Sequence, residues 1–419
     1  MATSTPDFYN TISGGSVYAG RTAYGNFSGD IAVVGDSITS LSYQSAGYRW
    51  GLPLARSPYR LAHNIGVSGA TLDDIWTTHW ASRVLAVSPS IVMLRLGTNS
   101  LALSYATFMS KYQRFTDSMI ANGIKGILHA VPPRQGYGTD IRDKNDGIAA
   151  LAAANPTVLK FTNDSVDLAD SNYAYDSTCF YDGVHPNQKG QYLTGVRMQP
   201  DLTNWFAPND PRITDSNDTY YINSSSDQYV KNPFNSGTGG GLGGGCTGVV
   251  PTFWSVSNSG AGTTSVVSII SADAEDTNST PWMRVTVTGL GGSGHLLNII
   301  TTLGHPALAA DLFTVKRLDM MCEVRFNIDT TNLDKLCMYA LQGSTRVGTE
   351  FYMGLKGNGV INKTALLRSS FPRNQDGAAV VAHAANSVGL RFEISTIAAQ
   401  ASTLGTIDFR LASVRGQAT

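Results

Sequence analysis

Charge of either sign is scarce in this chain. Charged residues make up 15% of its 419 positions, and thirty basic side chains against thirty-one acidic ones leave a formal charge of −1. A nearly neutral chain has no general electrostatic attraction to nucleic acid or to an anionic membrane surface, so neither partner is expected. Apolar runs of about eighteen residues are also missing, which excludes a membrane-spanning helix. The start, MATSTPDFYN, has neither a basic n-region nor an apolar h-region, so Sec export is not expected. Cysteine is sparse as well. Cys179, Cys246, Cys322 and Cys337 are scattered without a C-x-x-C pair, which argues against a zinc knuckle or a disulfide framework and for small buried side chains. His63, His79, His129, His295, His305 and His383 show no paired ligand spacing, so no metal site is expected. The sequons at Asn26 and Asn278 arise readily in a chain rich in Ser, Thr and Asn, and carry no weight without evidence of secretion.

What is present suffices for packed cores, since 42% of residues are apolar, and the length favours two or three domains. From Asp30 short apolar runs, IAVVGDS, RLAHNIG, IVMLRLG, IKGILHAVPP and TVLKFTND, alternate with longer amphipathic stretches. Between the third and fourth runs, Tyr105, Phe108, Met109, Tyr112, Phe115, Met119 and Ile120 recur at helical spacing, and Gly123 stands where a C-terminal cap would. Continuous apolar strands are covered by helices on both faces, so residues 30–206 read as a parallel sheet in an α/β sandwich. Its last helix is expected from about Asn187 to Trp205, with Pro186 at the first helical position.

After Trp205 the composition shifts to polar residues and then to the tract SGTGGGLGGGCTG, so 207–249 reads as a linker behind an N-terminal segment, 1–29, and the α/β domain. From Val250 to the end, period-two runs such as WMRVTVTGL, DMMCEVRFNI, KLCMYALQG, GLRFEIST and TIDFRLASV predict an antiparallel β-sandwich of jelly-roll type. Trp254, Trp282 and Tyr339 could stack on sugars if exposed; the core is the expected place for each.

Four segments in the first half could carry chemistry. VVGDSITS runs a strand into Gly35, Asp36 and Ser37 at the edge where α/β active sites gather, although Gly-Asp-Ser alone is also an ordinary turn or cap. It lacks the G-x-S-x-G spacing of an α/β-hydrolase elbow. DGVHPNQKGQ sets Asp182 three residues before His185, so one carboxylate can hold the imidazole tautomer while the other ring nitrogen faces a serine hydroxyl. NIGVSGAT brings Gly66 and Gly69 to the end of the second strand, and LRLGTNSL brings Gly97 and Asn99 to the end of the third. A glycine N–H and an asparagine amide are the donors that a developing oxyanion requires.

Taken together and in this order, GDSI, NIGVSG, GTN and DGVHPN resemble the four blocks of the SGNH (GDSL-type) hydrolase family over roughly residues 30 to 206. The resemblance implies a flavodoxin-like three-layer α/β/α domain with Ser37, Asp182 and His185 as its triad. It also implies an oxyanion hole formed by the Ser37 and Gly69 backbone N–H groups and the Asn99 side chain, with no cofactor. Ser100 departs from the family, many of whose members carry Asp there; that change bears on the substrate more than on activity. The second half resembles β-sandwich modules of bacteriophage tail-associated esterases, which makes a virion-borne enzyme acting on extracellular glycans the expectation. The sandwich would then bind glycan or hold a homo-oligomer together. The expected reaction is hydrolysis of O-acetyl groups on a carbohydrate. A lipolytic or thioester hydrolase of longer acyl chains is the alternative within enzymes, and a non-catalytic glycan-binding tail protein the alternative outside them.

Overall fold

The computed structural model describes residues 30–40, 48–55, 57, 60–170, 173–206, 230–272, 274, 280–302, 317–342, 345–354, 358–371 and 388–417. The sequons at Asn26 and Asn278, His305, His383 and the stretches 1–29 and 207–229 lie outside them. The chain divides into two compact units, Met1–Asn209 and Asp210–Thr419.

The first unit is a five-stranded parallel sheet of β1 (Asp30–Gly35), β2 (Arg60–Gly66), β3 (Ile91–Arg95), β4 (Lys125–His129) and β5 (Leu159–Thr162), in the order β2-β1-β3-β4-β5. That is the flavodoxin-like order, and ligands in such sheets gather beyond the carboxyl ends of the strands. The central stretches of β1 and β3, Ile31–Val34 and Ile91–Leu94, are uniformly apolar because each face is covered. Ile31, Val33, Ile91, Met93 and Ile127 pack under helices α1 (Tyr48–Leu54) and α5 (Gln188–Trp205) through Leu52, Met198 and Leu202. Ala32, Val34, Val92, Leu94 and Leu128 face the other side. There they meet α2 (Leu72–Asp74) with its π-helical continuation Ile75–Val84, α3 (Tyr105–Ala121) and α4 (Gly138–Ala154). The helix expected from Tyr105 is therefore present. It buries Phe108, Tyr112, Phe115 and Met119, while Tyr105 and Ile120 are exposed and fall off the apolar face. Asn122 caps it and Gly123 follows with φ +67°.

Among the described residues, the second unit is a sandwich of two six-stranded sheets. The strands are β6 (Gly241–Gly243), β7 (Cys246–Gly248), β8 (Trp254–Asn258), β9 (Thr264–Ile270), β10 (Trp282–Gly289), β11 (Leu296–Thr302), β12 (Arg317–Asp329), β13 (Leu333–Gln342), β14 (Thr345–Gly354), β15 (Val360–Phe371), β16 (Val388–Thr396) and β17 (Gly405–Gln417). One sheet runs β15-β12-β17-β10-β9-β7 and the other β14-β13-β16-β11-β8-β6. Among the last eight strands, the chain deals β10, β12, β15 and β17 to one sheet and β11, β13, β14 and β16 to the other, which is the interleaving of a jelly roll. Alternate residues point inward, and Phe392 of one sheet meets Phe409 of the other with ring centroids 5.0 Å apart. Trp254, Trp282 and Tyr339 are all buried, so none is a surface platform for sugar. Trp254 donates to the Asn232 carbonyl at 3.0 Å, Tyr339 to Glu393 at 2.7 Å, and the Arg325 and Arg410 guanidinium groups lie over the Trp282 ring.

The glycine tract corrects the expected boundary at Val250. β6 and β7 lie within it and pair in parallel with β8 and β9, one at the edge of each sheet. Upstream, Asn235 is buried and donates to the Pro281 and Phe409 carbonyls at 3.1 and 2.7 Å. Residues 230–249 are thus part of the sandwich. Backbone ladders need no side-chain pattern, so glycines can form them without any apolar periodicity. Cys179, Cys322 and Cys337 are buried, Cys246 is partly so, and all four are free thiols.

Candidate active site

The serine turn is fixed from both sides. A Cβ on Gly35 would lie 2.1 Å from the Arg95 carbonyl oxygen, so only glycine lets the end of β1 come this close to β3. Beyond it the Thr39 and Ser40 N–H groups both donate to the Asp36 carbonyl at 3.1 Å, and the Asp36 side chain accepts from the Ile38 N–H at 3.0 Å. Ser40 donates its hydroxyl to the Ser37 carbonyl at 2.8 Å, and Asn64 of β2 reaches across to the Thr39 carbonyl at 2.9 Å. Ser37 is consequently held in a short, rigid turn and is only 5% exposed. Asp36 is buried beside it. Burial pushes its carboxyl up to about 6, against the opposing pull of the Ile38 N–H, the Thr98 side chain, Arg95 and His185.

The second half of the site is the loop before α5. Tyr181 donates its N–H to the His185 carbonyl at 2.9 Å, closing a tight loop over 181–185. Within it one Asp182 oxygen accepts from the Val184 and His185 N–H groups at 2.8 and 2.7 Å, and the other lies 2.9 Å from His185 Nδ1. Partial burial alone would raise the Asp182 carboxyl. Its bonds from the His185 ring and from the His185 and Val184 N–H groups outweigh that and hold it below the ordinary value. His185 Nε2 in turn lies 2.9 Å from Ser37 Oγ. With Nδ1–H donating to Asp182, the lone pair on Nε2 is free to accept the serine proton. Ser37, His185 and Asp182 are therefore one continuous hydrogen-bonded chain.

Helix α5 starts one residue later than expected, at Gln188, with Asn187 as its cap. The Asn187 side chain accepts from the Gly190 N–H at 3.1 Å and donates to the Thr178 carbonyl at 2.9 Å. Pro186 is not the first helical residue; it pairs with Phe180 in an isolated antiparallel bridge.

Gly69 and Asn99 lie on the loops that follow β2 and β3. The Val67 N–H donates to the Gly35 carbonyl at 3.0 Å, tying the first of these loops to the serine turn. Gly69 adopts φ +76°, a left-handed conformation that suits glycine. Asn99 Nδ2 donates to the Ala70 carbonyl at 3.1 Å, bringing the asparagine against the Gly69 loop. Ser100 accepts from the Leu72 N–H at 3.0 Å, so the residue that departs from the family pattern holds the start of α2 to the same turn.

Several residues that complete this arrangement were given no role by the sequence. Asn64, Asp36 and Arg134 each bind backbone in a loop, a relation that only the fold reveals. Asp36 is the most readily found of them, as a carboxylate between two residues already singled out. Beneath the site, Arg95, His129 and Asp164 form a buried cluster; His129 Nδ1 lies 2.7 Å from Asp164 and 3.2 Å from Arg95. Burial lowers the His129 pKa against the pull of Asp164. Among the described residues no three side chains of His, Cys, Asp or Glu converge as a metal site would require. None of their helices is long and apolar enough to cross a membrane.

Residues 33–193 match the profile of the GDSL-like lipase/acylhydrolase family. No curated protein sequence matches the chain. Among solved structures it is similar to a GDSL-like lipase from Bacteroides thetaiotaomicron, with 20% identity, 48% of this chain and 98% of that one covered, and a TM-score of 0.36. A catalytic mutant of an acetylxylan esterase from Geobacillus stearothermophilus is similar at 17% identity, with 43% and 98% covered and a TM-score of 0.36.

Proposed function

We propose that the first unit is a serine esterase in which Ser37 is the nucleophile, His185 the general base and then acid, and Asp182 the carboxylate that orients it. The observation that carries this reading is the unbroken chain from Ser37 Oγ to His185 Nε2 and from His185 Nδ1 to Asp182 Oδ2, both links 2.9 Å long. Attack of Ser37 Oγ on the ester carbonyl transfers its proton to His185 Nε2. The resulting oxyanion is received by the Ser37 and Gly69 N–H groups and the second N–H of the Asn99 amide. Collapse expels the alcohol, which takes the proton from His185. Water then repeats the sequence on the acyl-enzyme and releases the acid.

The substrate we favour is an O-acetyl ester on a carbohydrate. The match to GDSL-type acylhydrolases supports an ester, and Tyr181, 59% exposed and adjacent to Asp182, offers an aromatic surface against which a sugar ring can stack. In this reading the sandwich unit binds glycan or joins copies of the chain, as in a virion-borne enzyme. Rates over p-nitrophenyl esters of increasing acyl length, and over acetylated polysaccharides, test the assignment for the parent chain and for Ser37→Ala. Ester hydrolysis that survives in the folded Ser37→Ala chain rules out the nucleophile, and faster cleavage of long acyl chains than of acetate rules out the acetyl preference.

A further inference from the structure

An arginine stands at the edge of this site without a carboxylate partner among the described residues. Arg134 follows Pro132 and Pro133 on the loop after β4, and its Nη1 donates to the Thr98 carbonyl at 2.7 Å, one residue from Asn99. Its neighbour Gln135 donates its N–H to the Gly183 carbonyl at 3.0 Å, one residue from Asp182. The dipeptide thus joins the asparagine turn to the histidine loop. The other arginines near this end of the unit are committed. Arg95 is buried on Asp164, and Arg114 pairs with Asp73. Arg134 makes no ion pair among the described residues, and its remaining N–H groups meet no protein acceptor there.

A guanidinium carries five donors in a planar fork and stays charged throughout the working pH range. Here one donor is spent on Thr98, and the guanidinium lies over the Tyr137 ring at 5.4 Å from its centroid. Both contacts restrict the side chain before any ligand arrives, which reduces the entropy lost on binding. The half-buried position also weakens solvent competition for the remaining donors. Through Gln135 this loop is also tied to the segment carrying His185, which in the proposed mechanism protonates the leaving alcohol.

We propose that Arg134 is a specificity residue whose remaining donors receive a carboxylate on the alcohol half of the ester, so that the substrate class is an O-acylated acidic sugar. This rests on the esterase reading above. It predicts that the full chain favours acetylated oligogalacturonate over acetylated xylo-oligosaccharide by about tenfold or more in kcat/KM at low salt, with the preference shrinking as salt screens the pair. In Arg134→Gln the ratio falls to about one, whatever overall rate is lost through the Thr98 contact, because that loss acts on both substrates alike. Arg134→Lys keeps part of the ratio through its charge, and serves as the variant if the glutamine chain fails to fold.

Equilibrium binding of deacetylated oligogalacturonate and of xylo-oligosaccharide to Ser37→Ala, with and without Arg134→Gln, separates the two readings. Arg134-dependent binding of the acidic oligosaccharide in a chain whose parent hydrolyses no ester upholds the inference and removes the esterase. Ester hydrolysis with the same substrate ratio in parent and Arg134→Gln overturns the inference and leaves the esterase. An acetylated sugar phosphate preferred over the uronate also overturns it, since the same fork would then serve a phosphate.

Discussion

Asp36 couples the stability of the first unit to its activity. The carboxyl is 1% exposed and burial raises its pKa from 3.8 to about 6. Below the lower value both folded and unfolded chains hold the proton and the group contributes nothing. Above the higher value the folded state carries an ionised, buried carboxylate, so stability falls as pH rises between the two. At one pKa unit per 1.36 kcal/mol the penalty reaches up to about 3 kcal/mol. Asp36→Asn retains the acceptor for the Ile38 N–H and removes the charge. It is expected to unfold at higher urea than the parent at pH 8 and at nearly the same urea at pH 4. Its kcat should fall, because the Asp36 charge attracts the imidazolium that forms as Ser37 attacks. A variant whose gain over the parent is no larger at pH 8 than at pH 4 would contradict the account. Asn99→Ala is expected to lower kcat by about a hundredfold or more with a smaller change in KM, as for a donor engaged mainly in the transition state. If KM alone changes, Asn99 binds substrate and not the oxyanion. The proposed triad was legible only from the four segments taken together, since Gly-Asp-Ser alone is an ordinary turn or cap and Asp182 and His185 stand on a loop before a helix. Asn64 and Arg134 were not legible, since asparagine and arginine at such positions are common and their partners here are carbonyls on other loops.

The cap of α5 ties helix stability to catalysis. Asn187 accepts from Gly190 and donates to Thr178, two residues from His185, the proposed base. Asn187→Ala is expected to cost about 1 to 2 kcal/mol of stability. It should also lower kcat several-fold, because the loop carrying His185 loses one of its anchors to the turn before it. Asn187→Asp keeps the acceptor and loses the donor, so it should recover most of the stability and less of the rate; equal recovery of both in thermal melts and initial rates would show that the cap alone matters. The elements themselves were legible to different degrees. β1 and β3 lie between helices on both faces and so carry the unbroken apolar runs IAVV and IVML, and α3 announced itself through Phe108, Tyr112, Phe115 and Met119. Pro186 misled because a proline after a loop suits the first turn of a helix, while here the bridge to Phe180 and the Asn187 cap place the helix start beyond it.

Across the whole molecule, the position of the glycine tract decides where the chain can be cut. β6 and β7 are built largely of glycine and are held by backbone ladders to β8 and β9, so no apolar alternation could reveal them. A chain ending near Gly245 would keep Val230, Asn232 and Asn235, all buried in the full chain, while deleting the strands and the Phe409 carbonyl that they meet. That truncation is expected to lose solubility. A chain ending at Asn209 removes the second compact unit entire and retains every proposed catalytic residue. It should hydrolyse p-nitrophenyl acetate within a few-fold of the full chain, since a compact unit with its own core carries its own site geometry. On acetylated polysaccharide the same truncation should lose efficiency, because a tethered binding unit raises the effective concentration of the site at the polymer. Initial rates on both substrates for the two truncations and the parent decide the matter. Equal loss on both by a folded 1–209 chain would mean that the sandwich helps shape the active site, and equal retention on both would make it an attachment or oligomerisation unit with no part in catalysis on glycan.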